Sequence, residues 1–242
     1  GRQPSHEHGR HLRRGRSAAN ARWGNAPSVL VGDFLYARAF KMMVELQNLR
    51  IMDVLAHATA VIAEGEVLQL MNVKNPDVSE AKYMEVIHNK TAMLFEAASH
   101  SGALLAAANS NQERALQDYG KHLGLAFQLV DDLLDYQGNA EEMGKNVGDD
   151  LAEGKTTLPL IYAISNGTPD EQQLIRQAIR KGGLGDLPAI LDIVKRSGAL
   201  EYTMKRAKEE AQSALDCLEH LPESDHRDAL ALLTEVAVAR VS

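Results

Sequence analysis

The chain has 242 residues, of which 45% are hydrophobic and 24% are charged, and its net charge at pH 7 is −7. This is the composition of a globular protein with one sizeable core. The acidic balance excludes a general nucleic-acid binder, which needs a basic face. A single cysteine, Cys217, excludes an intrachain disulfide and favours the cytoplasm. The sequence predicts neither a transmembrane helix nor a signal peptide, because it has no apolar run of the length that either needs.

The predicted elements begin with a basic N-terminal stretch. Residues 1–12 are predicted to form a disordered leader, rich in arginine and histidine, and residues 13–242 a helical domain. The histidines could bind a metal, but no periodic scaffold fixes their geometry. From Ser28 onward the hydrophobic period predicts helices only. Their expected bounds are 29–49, 51–71, 79–107, 111–136, 157–165, 169–181, 186–196, 200–218 and 225–240. The predicted fold is all-α, a single-domain antiparallel helical bundle.

The first and third helices carry apolar stripes. That of the first helix runs through Val29, Phe34, Ala37 and Met42. The stripe of the third helix is predicted to contain one charged residue. Helical spacing aligns this residue with the others in the set Tyr83, Ile87, Lys90, Leu94 and Ala98. A lysine among apolar neighbours needs an anion, which a polyanionic ligand would supply. The alternative is a lysine whose stem packs while its ammonium reaches water. Thr91 adds a hydroxyl beside it.

The fourth helix carries a polar stripe on an otherwise apolar segment. Gln128, Asp131, Asp132 and Asp135 stand at i, i+3, i+4 and i+7, so they share one face. The simplest interpretation is a solvated acidic face. If the carboxylates are buried, cations must neutralise them. Oxygen ligands on a rigid wall suit Mg²⁺, which keeps several waters and shares its site with substrate phosphates.

A polar, glycine-rich loop follows, from Gly138 to Gly154. Glycines let the backbone approach a ligand closely, while Lys145 and Lys155 add mobile positive charge. The loop is not a P-loop, because the spacing is wrong and no strand precedes it. On its own it is either a functional loop or a linker.

Three motifs in this order resemble the trans-isoprenyl diphosphate synthases, and residues 26–40 and 61–72 most resemble the long-chain members of that family. They are the Lys90-Thr91 pair, the segment Phe127-Gln128-x-x-Asp131-Asp132-x-x-Asp135, and the Gly-Lys loop that runs from residue 144 to residue 159. The resemblance extends from about Arg13 to the C-terminus. It implies an isoprenoid-synthase bundle that condenses isopentenyl diphosphate with an allylic prenyl diphosphate, acting as a Mg²⁺-dependent homodimer.

The resemblance also implies residue roles around the metal and the reacting carbon. Asp131 and Asp135 look like ligands of Mg²⁺, with Asp132 a nearby ligand or water-holder. Gln128 and Thr91 resemble groups that face the developing allylic cation.

Other residues resemble the family's diphosphate-binding groups. Lys90 and Lys145 look like the lysines that hold the allylic diphosphate, and Lys155 is a weaker candidate. Arg13 and Arg14 look like a pair that contacts the two diphosphates, and Phe127 would lie beside the isopentenyl site.

One part of the family's pattern does not match. A first aspartate motif should come immediately before Arg13, yet residues 4–12 contain no aspartate. Either the chain is N-terminally truncated, which we favour, or it is a degenerate, non-catalytic homologue that serves as a subunit or scaffold. We therefore expect little or no synthase activity from the 242-residue chain. A terpene cyclase of the same fold is a further alternative, disfavoured by the intact DDxxD motif and its Gly-Lys loop.

Overall fold

The computed structural model describes residues 12–13, 16–17, 19–137, 147–182 and 184–240. The chain groups into two compact units. The first consists of Gly1–Asn48 and Gly138–Val147, and the second of Leu49–Gln137 and Gly148–Ser242.

The first unit contains a minimal strand pair and two helices. Strand β1 (Leu12–Arg13) pairs antiparallel with β2 (Arg16–Ser17), and α1 (Ala19–Trp23) and α2 (Asn25–Glu45) follow. Gly24 precedes α2 with φ at 84°, a backbone conformation that favours glycine. α1 and the strand pair were not predicted from the sequence.

Apolar side chains of α2 are exposed around the helix. Val29, Phe34 and Met42 of the predicted stripe are 61%, 67% and 56% exposed, and Leu30, outside that stripe, is 65% exposed. A helix that is apolar on all sides is usually covered by other protein, since exposed apolar area of this extent is unusual on a monomer surface.

All the secondary structure in the described residues of the second unit is helical. Its elements are α3 (Leu49–Asn72), α4 (Glu80–Ile87), a π-turn (His88–Ala92), α5 (Met93–Leu105), α6 (Ser110–Gln137), α7 (Asp149–Ala152), α8 (Leu158–Asn166), α9 (Pro169–Lys181), α10 (Leu187–Arg196), α11 (Ala199–Leu218) and α12 (Asp225–Ala239).

Several of these helices start at residues whose side chains cap them. The Ser79 hydroxyl accepts a hydrogen bond from the Lys82 N–H at the start of α4. At the start of α9, Thr168 and Glu171 form a capping box, in which each side chain bonds the backbone N–H of the other. The predicted start of α9, at Pro169, is correct.

Helix α6 lies at the centre of the second unit, where it packs mainly against α11 and α5. A separate apolar cluster follows the C-terminal end of α6. It joins the buried side chains of Tyr136, Leu151, Ile175, Ile190 and Val194. This packing holds α7, near the end of the loop that follows the aspartates, against the bundle.

Close backbone contacts bring α6 onto the π-turn and α5. A Cβ added to Gly124 would lie 2.5 Å from Ala92 Cα, and one added to Gly120 would lie 2.5 Å from the Phe95 carbonyl oxygen. From the other side, a Cβ on Gly65 of α3 would lie 2.8 Å from the backbone nitrogen of Lys90. The π-turn therefore lies between two helices whose glycines admit its backbone.

A histidine–carboxylate pair joins the π-turn to α5. His88 Nε2 lies 3.2 Å from Glu96 Oε2, and the Gln117 amide of α6 donates to Glu96 Oε1 at 2.7 Å. The hydrogen bond to Glu96 raises the pKa of His88. Burial alone would raise the pKa of Glu96, but its hydrogen bonds to His88 and Gln117 outweigh burial and lower it.

The predicted all-α class is confirmed, and the predicted helices agree with the structure apart from their ends and one interruption. The π-turn breaks the predicted third helix, and α7 was not predicted. The expectation that Leu94 and Ala98 lie in the stripe of Tyr83 was wrong. Both are exposed, whereas Met93 and Ala97 are buried. A count of 3.6 residues per turn does not hold across a π-turn.

Within the described residues, no helix combines the length and the apolar character needed to cross a membrane. The predicted leader lies outside the described residues except for Leu12, and the extent of the domain, residues 13–242, stays a prediction.

Candidate functional site

The three aspartates of α6 differ in exposure. The Asp131 side chain is 29% exposed, whereas Asp132 and Asp135 are buried. The solvated-face interpretation therefore fails for two of the three carboxylates. Buried carboxylates need hydrogen-bond donors or cations, and both have donors.

Asp132 accepts hydrogen bonds on both carboxylate oxygens. The Tyr83 O–H of α4 donates to Oδ2 at 2.7 Å, and the Gln128 amide donates to Oδ1 at 2.6 Å. Burial, and then the nearby negative charge of Asp150, raise the pKa of Asp132 well above its usual value. Asp132 thus lies in a dry, hydrogen-bonded position inside the helix packing.

Asp135 is held by the backbone that begins α7. Its carbonyl oxygen accepts from the Gly148 N–H at 2.9 Å, and its carboxylate Oδ2 accepts from the Asp150 N–H at 3.1 Å. Gly148 has φ at 84°, and a Cβ there would lie 2.6 Å from a methyl carbon of Leu187. The left-handed φ favours glycine, so this residue lets the chain return to Asp135.

Lys155 is bound to acidic neighbours in its own loop. Its ammonium lies 3.1 Å from Asp150 Oδ1 and 2.6 Å from Glu153 Oε2. Burial would lower the pKa of Lys155, but Asp150 and Glu153 outweigh burial and raise it. Lys155 is therefore a persistent cation beside Asp150, whose backbone N–H bonds Asp135.

The π-turn positions Lys90 and Thr91. The Thr91 hydroxyl donates to Gln128 Oε1 at 3.0 Å, which joins the π-turn to the polar stripe of α6. π-turns occur frequently at functional sites.

The Lys90 ammonium lies on the α3 side of the site. It donates to Gln69 Oε1 at 2.6 Å and lies 3.1 Å from Glu66 Oε1, with its side chain 30% exposed. These contacts fit the interpretation in which the lysine stem packs while its ammonium reaches water, and the role of Lys90 in holding a diphosphate stays a prediction.

Phe127 and Asp131 share a cationic neighbour that sequence reasoning missed. The Arg240 guanidinium lies 4.7 Å from the centre of the Phe127 ring, and 3.8 Å separates Arg240 Nη2 from Asp131 Oδ1. Arg240 ends the chain's last helix, far from the motifs in sequence. No sequence spacing links it to them.

The remaining candidates fall where the structure is silent. Arg14 and Lys145 lie outside the described residues, and for Arg13 only the backbone, in β1, is described. The sequence also gave no functional role to Tyr83 or Asp150.

The described part of the chain contains no set of three or more histidine, cysteine or acidic side chains placed to hold a metal ion. Asp131 and Asp135 nevertheless fit a hard cation that takes few protein ligands. They are oxygen donors on one face of a fixed helix, and Mg²⁺ is usually bound by one or two carboxylates together with waters and substrate phosphates.

Known proteins are similar to this chain in both sequence and fold. The sequence model of the polyprenyl synthetase family matches residues 9–194, so the match starts within the predicted leader. The chain belongs to the polyprenyl synthetase family. It is 54% identical to the octaprenyl diphosphate synthases of Haemophilus influenzae and Escherichia coli. Each match covers 95% of this chain, and 70% and 71% of those enzymes respectively.

Solved structures of polyprenyl synthetases have the same fold. A polyprenyl synthase from Caulobacter crescentus, complexed with calcium and isoprenyl diphosphate, superposes with a TM-score of 0.90 and 48% identity. The match covers 96% of this chain and 71% of that one. A decaprenyl diphosphate synthase from Rhodobacter capsulatus gives a TM-score of 0.88 and 44% identity, over 96% and 72% of the chains. Polyprenyl synthetases generally depend on divalent metal ions.

Proposed function

We propose that this site serves the synthesis of a long-chain all-trans polyprenyl diphosphate from isopentenyl diphosphate and an allylic prenyl diphosphate, a product suited to a quinone side chain. The main support is the high identity to octaprenyl diphosphate synthases. The described hydrogen bonds agree with this proposal, because they connect the Lys90-Thr91 pair to the aspartate stripe through Gln128.

Asp131 and Asp135 would hold Mg²⁺, with Asp132 as a further ligand or as support. The ion would stabilise negative charge on the departing diphosphate. Lys90 and Lys155 would neutralise the rest of that charge once ligand oxygens replace their present carboxylate partners.

Further cations are proposed to complete the diphosphate sites. Arg13 and Arg14 would contact the two diphosphates, and Lys145 would join Lys90 on the allylic one. Phe127 would lie beside isopentenyl diphosphate. Neither Arg14 nor Lys145 lies in the described residues.

The reaction needs an allylic cation that is shielded from water, and it needs no nucleophilic side chain. The allylic C–O bond breaks and pyrophosphate leaves with the electron pair. The double bond of isopentenyl diphosphate then forms the new C–C bond, and a proton is lost to the pyrophosphate. The Thr91 hydroxyl and the Gln128 carbonyl oxygen would face the allylic cation, because oxygen dipoles stabilise the positive charge.

A non-catalytic subunit or scaffold is the second candidate function. One observation favours it: residues 4–12, where the family's first aspartate motif would lie, contain no aspartate. On either proposal the purified 242-residue chain is expected to bind a metal–diphosphate complex and to show little or no turnover.

Assembly and location are proposed as well. We propose a homodimer in which a second copy covers the exposed apolar side chains of α2. Light scattering on the purified chain tests this, since a monomer would exclude it. The lone cysteine, Cys217, agrees with a reducing cytoplasm.

Binding of farnesyl thiodiphosphate, which resists ionisation, tests the proposed site. Calorimetry should show binding that requires Mg²⁺ and weakens about tenfold or more in Asp131→Asn. The matched control is Asp192→Asn, since this side chain is 74% exposed on α10 and should leave affinity unchanged. If binding does not depend on Mg²⁺, or if both variants weaken it equally, the proposed diphosphate site is wrong.

Incorporation of radiolabelled isopentenyl diphosphate tests the expectation of little or no turnover. Long prenyl diphosphates made by the purified chain would contradict the expectation of little or no turnover and would exclude the non-catalytic role.

A further inference from the structure

A buried tyrosine lies at one end of a hydrogen-bond series that leads to the proposed reaction centre. Tyr83 is 4% exposed on α4, and 49 residues separate it from Asp132, to which its O–H donates. Asp132 in turn accepts from Gln128, and Gln128 accepts from Thr91. The series therefore starts on α4, crosses to α6 and returns to the π-turn that directly follows α4.

The series fixes which way the Gln128 amide points. An amide has a donor side and an acceptor side. With the NH₂ group 2.6 Å from Asp132 Oδ1, the carbonyl oxygen must face the Thr91 hydroxyl. Because both Asp132 oxygens act as acceptors, the flipped amide would place two acceptor oxygens together at that distance, which is repulsive in a buried site.

The amide orientation depends on the Asp132 carboxylate staying in its plane. Gln128 engages one carboxylate oxygen and Tyr83 the other. Without the Tyr83 O–H, Oδ2 loses a donor at a buried position, and the carboxyl group gains freedom to rotate towards another one. The Gln128 donor would follow it, and the carbonyl oxygen would leave its place beside Thr91.

We propose that Tyr83 is a positioning residue for the allylic cation: through Asp132, its hydroxyl holds the Gln128 carbonyl oxygen in the orientation that stabilises positive charge. This inference rests on the proposed function. It gives Asp132 a supporting part that does not require contact with a metal ion. Tyr83 itself acts at one remove from the substrate.

The test compares two ligands that differ in charge at the reacting end. Farnesyl thiodiphosphate is neutral there, whereas an allylic diphosphate analogue with a protonated amine in place of the cationic carbon is positive. The affinity for the positive ligand divided by that for the neutral ligand, both measured with Mg²⁺, reports how well the site stabilises the cation. This affinity ratio requires no turnover. Tyr83→Phe should lower the ratio about tenfold, as expected for a lost hydrogen-bond contribution to a charged group, and should change affinity for the neutral ligand by less than about twofold.

Tyr202→Phe is the matched control. Its hydroxyl also donates to a carboxylate at 2.8 Å, but the acceptor is Glu80 Oε2 of α4, which is not part of the aspartate stripe. This variant loses the same kind of bond and should leave the affinity ratio unchanged. Thermal unfolding of each variant checks that the fold is intact.

A double-mutant cycle identifies the route through Gln128. If Tyr83 acts through the amide, adding Tyr83→Phe to Gln128→Ala should not change the affinity ratio further. Equal loss of affinity for both ligands in Tyr83→Phe would show a merely structural role and overturn the inference. So would additive effects in the double variant. If wild-type protein binds neither ligand in a Mg²⁺-dependent way, the proposed function itself fails, which is a different outcome.

Discussion

The contact between Gly124 and Ala92 determines how closely α6 approaches the π-turn. In Gly124→Ala the new Cβ would lie 2.5 Å from Ala92 Cα and 2.9 Å from Ala92 Cβ. Carbon atoms attract each other optimally at about 3.5–4.0 Å. The two backbones must therefore separate by roughly 1 Å, or α6 must rotate locally. Either movement lengthens the hydrogen bond from Thr91 to Gln128, which stands one helical turn further along α6.

Two opposing effects set the size of the stability change. Alanine is favoured over glycine inside a helix by about 0.5–1 kcal/mol. Overpacking a tight backbone contact costs about 1–3 kcal/mol. The neighbouring atoms on Ala92 are backbone and Cβ, which cannot move away like the end of a flexible side chain. The packing cost should prevail, giving a net loss of about 1–2 kcal/mol and a fall in Tm of roughly 2–8 °C.

Gly102→Ala provides the control for this prediction. Gly102 lies in α5, and an added Cβ would meet nothing within 4 Å. The same substitution should therefore raise Tm by roughly 1–4 °C, because only the helix-propensity gain remains. Thermal unfolding followed by circular dichroism measures both variants. If Gly124→Ala stabilises the protein as much as Gly102→Ala does, the close contact does not exist in solution.

Two further predictions concern stability. The raised pKa of His88 gives stability that is complete below about pH 6.5 and lost as pH rises through its folded value, and the lowered pKa of Glu96 gives stability lost in acid. His88→Gln should therefore cost about 0.5–1 kcal/mol in urea unfolding at pH 6 and less at pH 8.5, and an equal loss at both pH values would contradict this assignment. Thr168→Ala removes the capping box of α9 and should lower the free energy of unfolding by about 1 kcal/mol, whereas an unchanged urea midpoint would show that the cap contributes nothing.

Much of the helical architecture could be predicted from the sequence, because its signals are local. The capping residues and prolines at helix starts, such as Thr168 and Pro169, act within one turn of the chain. The polar stripe of α6 could also be predicted, since it depends on spacing within one helix.

Other features depend on contacts between distant segments, which periodicity does not reveal. The π-turn is one example. Its backbone lies against Gly65 and Gly124, and no residue type within the turn predicts a break in the helix. The partners of Asp132 and Lys90 are further examples. Tyr83 of α4 bonds Asp132 of α6, and Glu66 and Gln69 of α3 contact Lys90 in the π-turn. The sequence predicted that these charges needed partners, but not which residues would supply them.

The two hydrogen bonds that return the chain to Asp135, one to its carbonyl oxygen and one to its carboxylate, have a practical consequence for measuring ligand binding. They close the connection after α6 at its base, since Asp150 follows Asp135 by 15 residues. The entropy of closing a loop grows only slowly with length, by about 0.6 kcal/mol for each doubling. The hydrogen bonds to Asp135, rather than the number of residues between Asp135 and Gly148, should therefore keep this connection closed, and hydrogen exchange at the Gly148 and Asp150 amides would measure it. A change in that exchange on adding a diphosphate ligand would report binding without a label on any of the proposed ligand-binding side chains.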